Sequence, residues 1–510
     1  MNACRYLLEA DADEHRDTLL GLSRNYTRRE LCVAVDQVAA VLRERGLRKG
    51  MMVILIADNS FFWVAAYLGG LKAGGTVVPL APGLEHRDLA DALRSTDPLF
   101  AFVQAKYASV LLSSMKPATV VVEGQLSEHD PVLSHSIVSF DDVLSSPIHV
   151  QEYEEVDPNR DIATIMFTSG STGQARGVMV SHRNIAANTD SIIEYLNLHS
   201  ADRMMVVLPF HYCFGTSLLH THLRIGGSLV LDHRFMFPDK VLQRIAKTQC
   251  TGFAGVPSHY QILLRSSSLR KMEFPALRYV QQAGGNLAPV FLQELRESLP
   301  NARIFVMYGQ TEATARLSYL PPEFLKTKLG SIGKGIPGVQ LAVVKENGVP
   351  VHPGEIGEIV ATGDNIALGY WREPEETVQT FRNGSLRTGD LATVDKDGFI
   401  YIVDRAKNFL KCGGNRVSCK RIEEMLLRFP DLIEAAVIGI PDERNGEAVK
   451  AFVIAKPGAN SNLRSRLKSF CTETFPSHLV PKEIVLVAEL PKNAAGKVSR
   501  ASLRMKVQSA

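Results

Sequence analysis

Apolar residues recur at helical spacing over residues 28–47, then give way to short runs rich in β-branched residues at 50–57, 76–80 and 99–103, with helical segments between them. A stripe with the helical period marks one buried helix face, and a continuous short apolar run marks a strand covered on both sides. The alternation continues through Ser228 Leu229 Val230 Leu231, Gly252 Phe253 Ala254 Gly255 Val256, Leu277 Arg278 Tyr279 Val280 and Ile304 Phe305 Val306 Met307. This predicts an α/β fold of layered, largely parallel sheets. After about Gly330 the texture changes to Gly/Pro turns and short alternating strands, as in Gly357 Glu358 Ile359 Val360 and residues 398–403, which predicts a small antiparallel barrel. From Asp404 the chain is charged, then offers a helix (419–429), a strand pair (435–440 and 448–454), a helix (463–474) and a last strand (483–487). The expected division is an N-terminal domain over 1–403, with its barrel at about 330–403, and a small α+β C-terminal domain over 404–510.

At 510 residues and 45% hydrophobic content the chain can bury a large core over more than one domain. Lys+Arg 57 against Asp+Glu 54 leaves +3, too little to make nucleic acid or a membrane surface the main partner. The seven cysteines are scattered without a Cys-x-x-Cys pair, which suggests neither a disulfide framework nor a zinc site and fits a reducing cytoplasm. The first seventeen residues interleave charges with apolar positions, unlike a signal peptide, and no apolar stretch reaches the roughly 20 residues of a membrane span. A cytoplasmic protein that is not integral to a membrane is expected.

The densest chemistry is Thr168 Ser169 Gly170 Ser171 Thr172 Gly173 Gln174 Ala175 Arg176 Gly177. Glycines let the backbone approach a ligand so that several N–H groups point at one anion, hydroxyls add donors, and Arg176 adds charge. The apolar run 163–167 before it reads as a buried strand, and residues 178–185 read as a second strand followed by an N-cap at Ser181. A Walker A loop is excluded, because Gly170 is followed five positions later by Ala175. A second glycine pattern, Gly333 Lys334 Gly335 Ile336 Pro337 Gly338, matches Gly-x-Gly-x-x-Gly literally. A strand-like run comes after it rather than a helix, so it reads as a turn-rich connector and argues against a dinucleotide-dependent oxidoreductase.

Taken with further motifs nearer the C-terminus, the loop at Thr168 resembles the fingerprint of the AMP-forming, adenylate-making superfamily, which includes acyl-CoA synthetases. Ala175 and Arg176 stand where that family usually has Pro and Lys. Tyr308 Gly309 Gln310 Thr311 Glu312 resembles the family's Tyr-Gly-x-Thr-Glu, which implies Tyr308 stacked on adenine, Thr311 at the α-phosphate and Glu312 on Mg²⁺. Gln282 Ala283 Gly284 Gly285 Asn286 resembles the segment whose backbone flanks adenine, although a plain tight turn would look the same. Thr388 Gly389 Asp390 resembles the motif whose carboxylate accepts the ribose hydroxyls, Asp404 Arg405 Ala406 Lys407 Asn408 the hinge, with Arg405 toward ribose or phosphate, and Pro491 Lys492 Asn493 Ala494 Ala495 Gly496 Lys497 the segment whose lysine bridges substrate carboxylate and α-phosphate. The resemblance runs from about Ala163 to Lys497 with the motifs in family order. It implies a mobile C-terminal lid that closes for adenylation and rotates to admit a thiol. No appended carrier-protein domain is expected after Lys497.

Leu208 Pro209 Phe210 His211 Tyr212 Cys213 Phe214 Gly215 resembles the segment leading into the acyl pocket. Amino-acid-activating relatives tend to carry an Asp there for the α-ammonium. Here His211, resembling the residue that gates the carboxylate and CoA channel, precedes apolar neighbours, so an acid without an α-amino group is implied. Cys213, Phe214, Val256, Pro257, Val306 and Met307 are the apolar pocket candidates, and if the segment walls the pocket a bulky side chain at Gly215 is expected to block acids. The implied activity is an ATP-dependent acid ligase using ATP, Mg²⁺ and coenzyme A, with the phosphopantetheine of a separate acyl carrier protein as the alternative acceptor. Lys411 lies where either thiol arm is expected to approach.

Overall fold

A computed structural model describes residues 1–9, 12–116, 118–130, 135–147, 152–168, 176–405, 409–412, 415–442, 446–456, 458–459, 462–492 and 498–508. The first sheet has eight strands in the order Gly369–Tyr370, Arg176–Ser181, Ile162–Thr168, Thr76–Pro79, Met52–Ile56, Phe100–Gln104, Thr119–Glu123 and Ser136–Ser139. Its six strands from Ile162–Thr168 onward pair in parallel, as the unbroken apolar runs require. The second has nine, ordered Lys334–Gly335, Ser318–Leu320, Arg303–Tyr308, Tyr279–Gln282, Gly252–Gly255, Arg203–Val206, Ser228–Leu231, Asp17–Leu20 and Asn25–Thr27. Helix Phe61–Lys72 is buried along its whole length and packs on helix Arg28–Glu44, which Thr27 and Glu30 start with a reciprocal capping box.

The antiparallel segment expected after Gly330 is a five-stranded antiparallel sheet built on Val339–Val344, Gly357–Gly363 and Ser385–Val394. The C-terminal α+β unit has its own five-stranded sheet around the long hairpin of Leu432–Asp442 and Gly446–Ala455. One apolar cluster joins this unit to the second large sheet, since Leu410, Val417 and Ile422 belong to the same packed group as Phe253, Val280 and Phe291. No described helix is long and apolar enough to cross a membrane.

The glycine-rich Gly333 to Gly338 stretch contributes the edge strand Lys334–Gly335 and then turns into the strand Val339–Val344, so no helix follows it. A Cβ at Gly333 would stand 1.8 Å from the Tyr319 carbonyl oxygen, so close backbone approach is what its glycine serves.

Candidate active site

Tyr308 ends the strand Arg303–Tyr308, and its hydroxyl donates to Asp390 Oδ2 at 2.6 Å. Asp390 faces Arg405 across adjacent strands, and Arg405 Nε donates to Asp390 Oδ1 at 3.0 Å. Asp390 is only 4% exposed, so the guanidinium beside it offsets a charge that would otherwise be costly to bury. The carboxylate in turn raises the Arg405 pKa, and burial together with Asp390 pushes the Tyr308 phenol well above its ordinary range. Each carboxylate oxygen has one donor here, and a carboxylate offers about four acceptor positions, so Asp390 keeps capacity for hydroxyls of a ligand.

Beyond Tyr308 the chain doubles back sharply. A Cβ at Gly309 would meet the Ala315 carbonyl oxygen at 2.0 Å, and Leu317 N–H donates to the Tyr308 carbonyl at 2.9 Å. The turn of Thr311–Ala313 between them presents two of the expected site residues. Thr311 Oγ1 lies 3.5 Å from Cys213 Sγ, and Glu312 Oε1 accepts from the Tyr370 hydroxyl at 2.8 Å. Tyr370 pairs with Val178, in the strand that leaves the glycine-rich loop. That loop spans a hairpin whose closing pair is Thr168 with Arg176, and Ser181 caps the next helix in a capping box with Asn184. Tyr370 therefore ties the loop's exit strand to Glu312.

Arg176 meets carboxylates of its own chain. Its sequence context offers it as charge for phosphate oxygens, but Nε lies 3.1 Å from Glu373 and Nη1 2.5 Å from Glu376, with the guanidinium 5.3 Å from the Tyr370 ring centroid. Two carboxylates already offset its charge. Although burial opposes ionisation, the Glu376 hydrogen bond and both carboxylates hold its pKa above the usual value. Arg176 anchors the strand end to the segment carrying Tyr370.

The segment 208–210 is clamped by Asn59, whose side chain accepts from Phe210 N–H at 2.7 Å and donates to the Leu208 carbonyl at 2.8 Å. His211 and Tyr212 then turn into helix Cys213–Arg224. A Cβ at Gly215 would stand 2.0 Å from the Pro209 carbonyl oxygen, so the glycine serves the fit between helix and clamped segment. Gly284 takes φ +83, and Gln282 Nε2 donates to the Gly285 carbonyl at 2.8 Å, closing the turn after Tyr279–Gln282.

The AMP-binding enzyme model matches residues 8–371, and the model of the AMP-binding enzyme C-terminal domain matches 421–497. The chain belongs to the AMP-binding enzyme family. The chain is 32% identical over 496 residues to a long-chain-fatty-acid–CoA ligase of Bacillus subtilis, covering 92% of this chain and 87% of that one. It is 30% identical to the 2-succinylbenzoate–CoA ligase of Geobacillus kaustophilus, over 94% and 93% of the two chains. An anthranilate CoA ligase solved with anthranoyl-AMP superposes with a TM-score of 0.89 at 27% identity, covering 99% of this chain and 97% of that one. The membership makes the chain an AMP-forming acid–thiol ligase and carries use of ATP and CoA with it.

Within this AMP-binding enzyme the structure brings Tyr308, Asp390 and Arg405 into one cluster and Thr311, Glu312, Tyr370 and Arg176 into a neighbouring set joined through the strand after the loop. Ser169, Gly170, Ser171, Thr172 and Gly173, like Lys407 and Lys497, lie outside the described residues. Lys411 lies on the strand Phe409–Cys412, opposite Arg416. The residues flanking Lys497's segment are tied down: Lys492 forms a bridge with Val498, and Lys492 Nζ donates to Glu434 Oε1 at 2.7 Å.

Sequence reasoning missed Tyr370, whose only signal was an aromatic followed by Trp371 and two acids. The hinge motif named Asp404 without a role; it accepts from Ser418 Oγ at 2.7 Å and Lys420 N–H at 3.2 Å and so fastens the C-terminal unit next to Arg405. A second omission is Arg316, four positions after Glu312, whose fully buried guanidinium lies 4.0 Å from the Phe214 ring centroid. Of the apolar pocket candidates, Phe214 therefore lies against a buried cation.

Proposed function

We propose that this enzyme activates a carboxylic acid lacking an α-ammonium as its acyl-adenylate and passes the acyl group to coenzyme A. The observation that carries the nucleotide half is the Tyr308–Asp390–Arg405 cluster: a buried carboxylate held in place by two donors, with acceptor positions left for ribose. In the first step a substrate carboxylate oxygen attacks the α-phosphorus and pyrophosphate leaves, and we assign to Thr311 and Lys497 the stabilisation of charge developing on the α-phosphate. In the second, a thiolate sulfur attacks the acyl carbon and AMP leaves, so atoms balance without oxidant or reductant.

Glu312 fits a Mg²⁺ that arrives with ATP. No cluster of three or more His, Cys, Asp or Glu able to hold a metal occurs among the described residues, and a single carboxylate suits an ion that keeps waters and phosphate oxygens as most of its ligands. Glu312 would hold such an ion, which would supply charge neutralisation for the phosphates. We treat residues 404–510 as a lid that closes for the first step and turns for the second, with Asp404 and Arg405 at the joint.

The absence of a carboxylate among 208–215 supports an acid without an ammonium, because a buried ammonium there would lack a partner. Free CoA and a carrier-bound phosphopantetheine present the same thiol arm. Incubation with ATP, acid and each acceptor separately tests the assignment: acyl-CoA and AMP are expected with CoA, and product with carrier protein alone would move the acceptor to the second reading.

A further inference from the structure

Arg316 is among the most deeply buried large side chains of the protein, 1% exposed, and is unusual in what it lacks. Among the described residues its Nε and Nη2 have no hydrogen-bond partner, and no carboxylate forms an ion pair with it. Its guanidinium lies against Phe214 and within hydrogen-bonding reach of Tyr195, with Cys213 and Tyr212 also close, so the open edge is Nε and Nη2 alone. Stacking on Phe214 offsets only part of what burying a charged group costs. Burial accordingly lowers its pKa. A buried donor pair left open at this cost calls for a partner.

The two open nitrogens define the partner. Nε and Nη2 form the side edge of the guanidinium, the fork that matches two carboxylate oxygens. The same protein uses that edge elsewhere: Arg278 Nε and Nη2 reach Asp202 at 3.1 and 2.7 Å, and Arg234 Nε and Nη2 reach Asp232 at 3.0 and 2.7 Å. In both pairs the carboxylate comes from the chain. For Arg316 the described chain supplies none, while its location supplies an alternative. Phe214 is next in the chain to Cys213, whose sulfur contacts Thr311, so Arg316 lies one side chain beyond the residues assigned to the reacting end.

We propose that Arg316 receives a second carboxylate carried by the acid substrate, so that the enzyme selects dicarboxylic acids over monocarboxylic acids. The inference rests on the acid-activating reading above, with Arg316 as a specificity-determining residue. One carboxylate goes to the α-phosphate, and the other pairs with the Nε/Nη2 edge. An apolar chain of matching length lies between them, along Cys213 and Phe214.

The test measures acid-dependent ATP/pyrophosphate exchange by the full chain with a length series of α,ω-dicarboxylic acids, their monomethyl esters and the fatty acids of equal length. At the favoured length the diacid should exceed its ester in kcat/KM by about 10- to 100-fold, the scale of charged hydrogen bonds. Arg316→Met should abolish that ratio by lowering diacid turnover while sparing the ester, and Arg316→Lys should restore part of it. A structural role would instead lower both substrates alike. Diacids no better than esters at every length in the unaltered enzyme would overturn the proposal, whether or not the Met variant folds. Exchange with fatty acids and esters would in that case leave the adenylate reading standing. Exchange with no acid at all would remove both.

Discussion

Tyr308 and Asp390 are 82 positions apart in the chain, yet their side chains meet at 2.6 Å, joining the end of a strand in the second large sheet to the small antiparallel sheet. The contact fixes one carboxylate oxygen while Arg405 fixes the other. Asp390→Asn would put an amide donor against one of two donors that now face an acceptor. ATP binding measured by calorimetry without acid should weaken by about 1 to 3 kcal/mol, with Tyr308→Phe causing a smaller loss. Unchanged affinity in Asp390→Asn would reduce the pair to a joint between sheets.

Lys497→Ala should abolish adenylate formation while leaving thioester formation from a supplied acyl-AMP far less affected, because its charge is needed where charge develops on the α-phosphate. Single-turnover assays of the two half-reactions give the comparison. Equal losses in both would remove the role proposed for Lys497.

The two large sheets were legible because fully buried parallel strands must be continuously apolar, and helix Leu463–Thr474 runs over the very residues its pattern marked. The nucleotide cluster was legible only through resemblance, since a Gly-Asp dipeptide alone looks like any turn. Tyr370, the Glu373 and Glu376 partners of Arg176, and Arg316 were not legible, because each acquires its role through a contact between segments distant in sequence. Periodicity reports which face of an element is buried, and says nothing of which charge meets which.

Arg176 and Glu376 should be coupled in stability. Both are partly exposed, so a double-mutant cycle of Arg176→Met and Glu376→Gln should give an interaction of about 1 kcal/mol in urea unfolding. Strict additivity, together with a large loss of ATP affinity in Arg176→Met, would return Arg176 to the phosphates.

Gly215→Ala should destabilise the protein by about 1 to 3 kcal/mol without favouring any class of acid, because its Cβ meets the Pro209 carbonyl rather than a ligand. Thermal unfolding and an acid panel separate the outcomes. Full stability with selective loss of larger acids would make Gly215 part of a pocket wall.

Acid should loosen the fold earlier than its carboxylates alone would dictate. Burial lowers the pKa of His182, His222, His220 and His259 from 6.5 to about 4, 4, 3 and 3. His182 Nδ1 accepts from Ala3 N–H at 3.0 Å, a bond that needs the neutral ring. A depressed folded pKa means the stabilisation is complete above pH 6.5 and is lost as pH falls toward 4, at about 1 kcal/mol per histidine one pH unit below 6.5. Urea midpoints at successive pH values should decline across that window. A midpoint flat until the carboxylates titrate would contradict the buried neutral histidines.

The central claim, attack of a substrate carboxylate on the α-phosphorus, is tested most directly by tracing oxygen. With an activated acid whose carboxylate carries heavy oxygen, and with ATP and CoA unlabelled, the AMP released should carry one labelled atom and pyrophosphate none. Unlabelled AMP, or ADP with labelled phosphate, would contradict it.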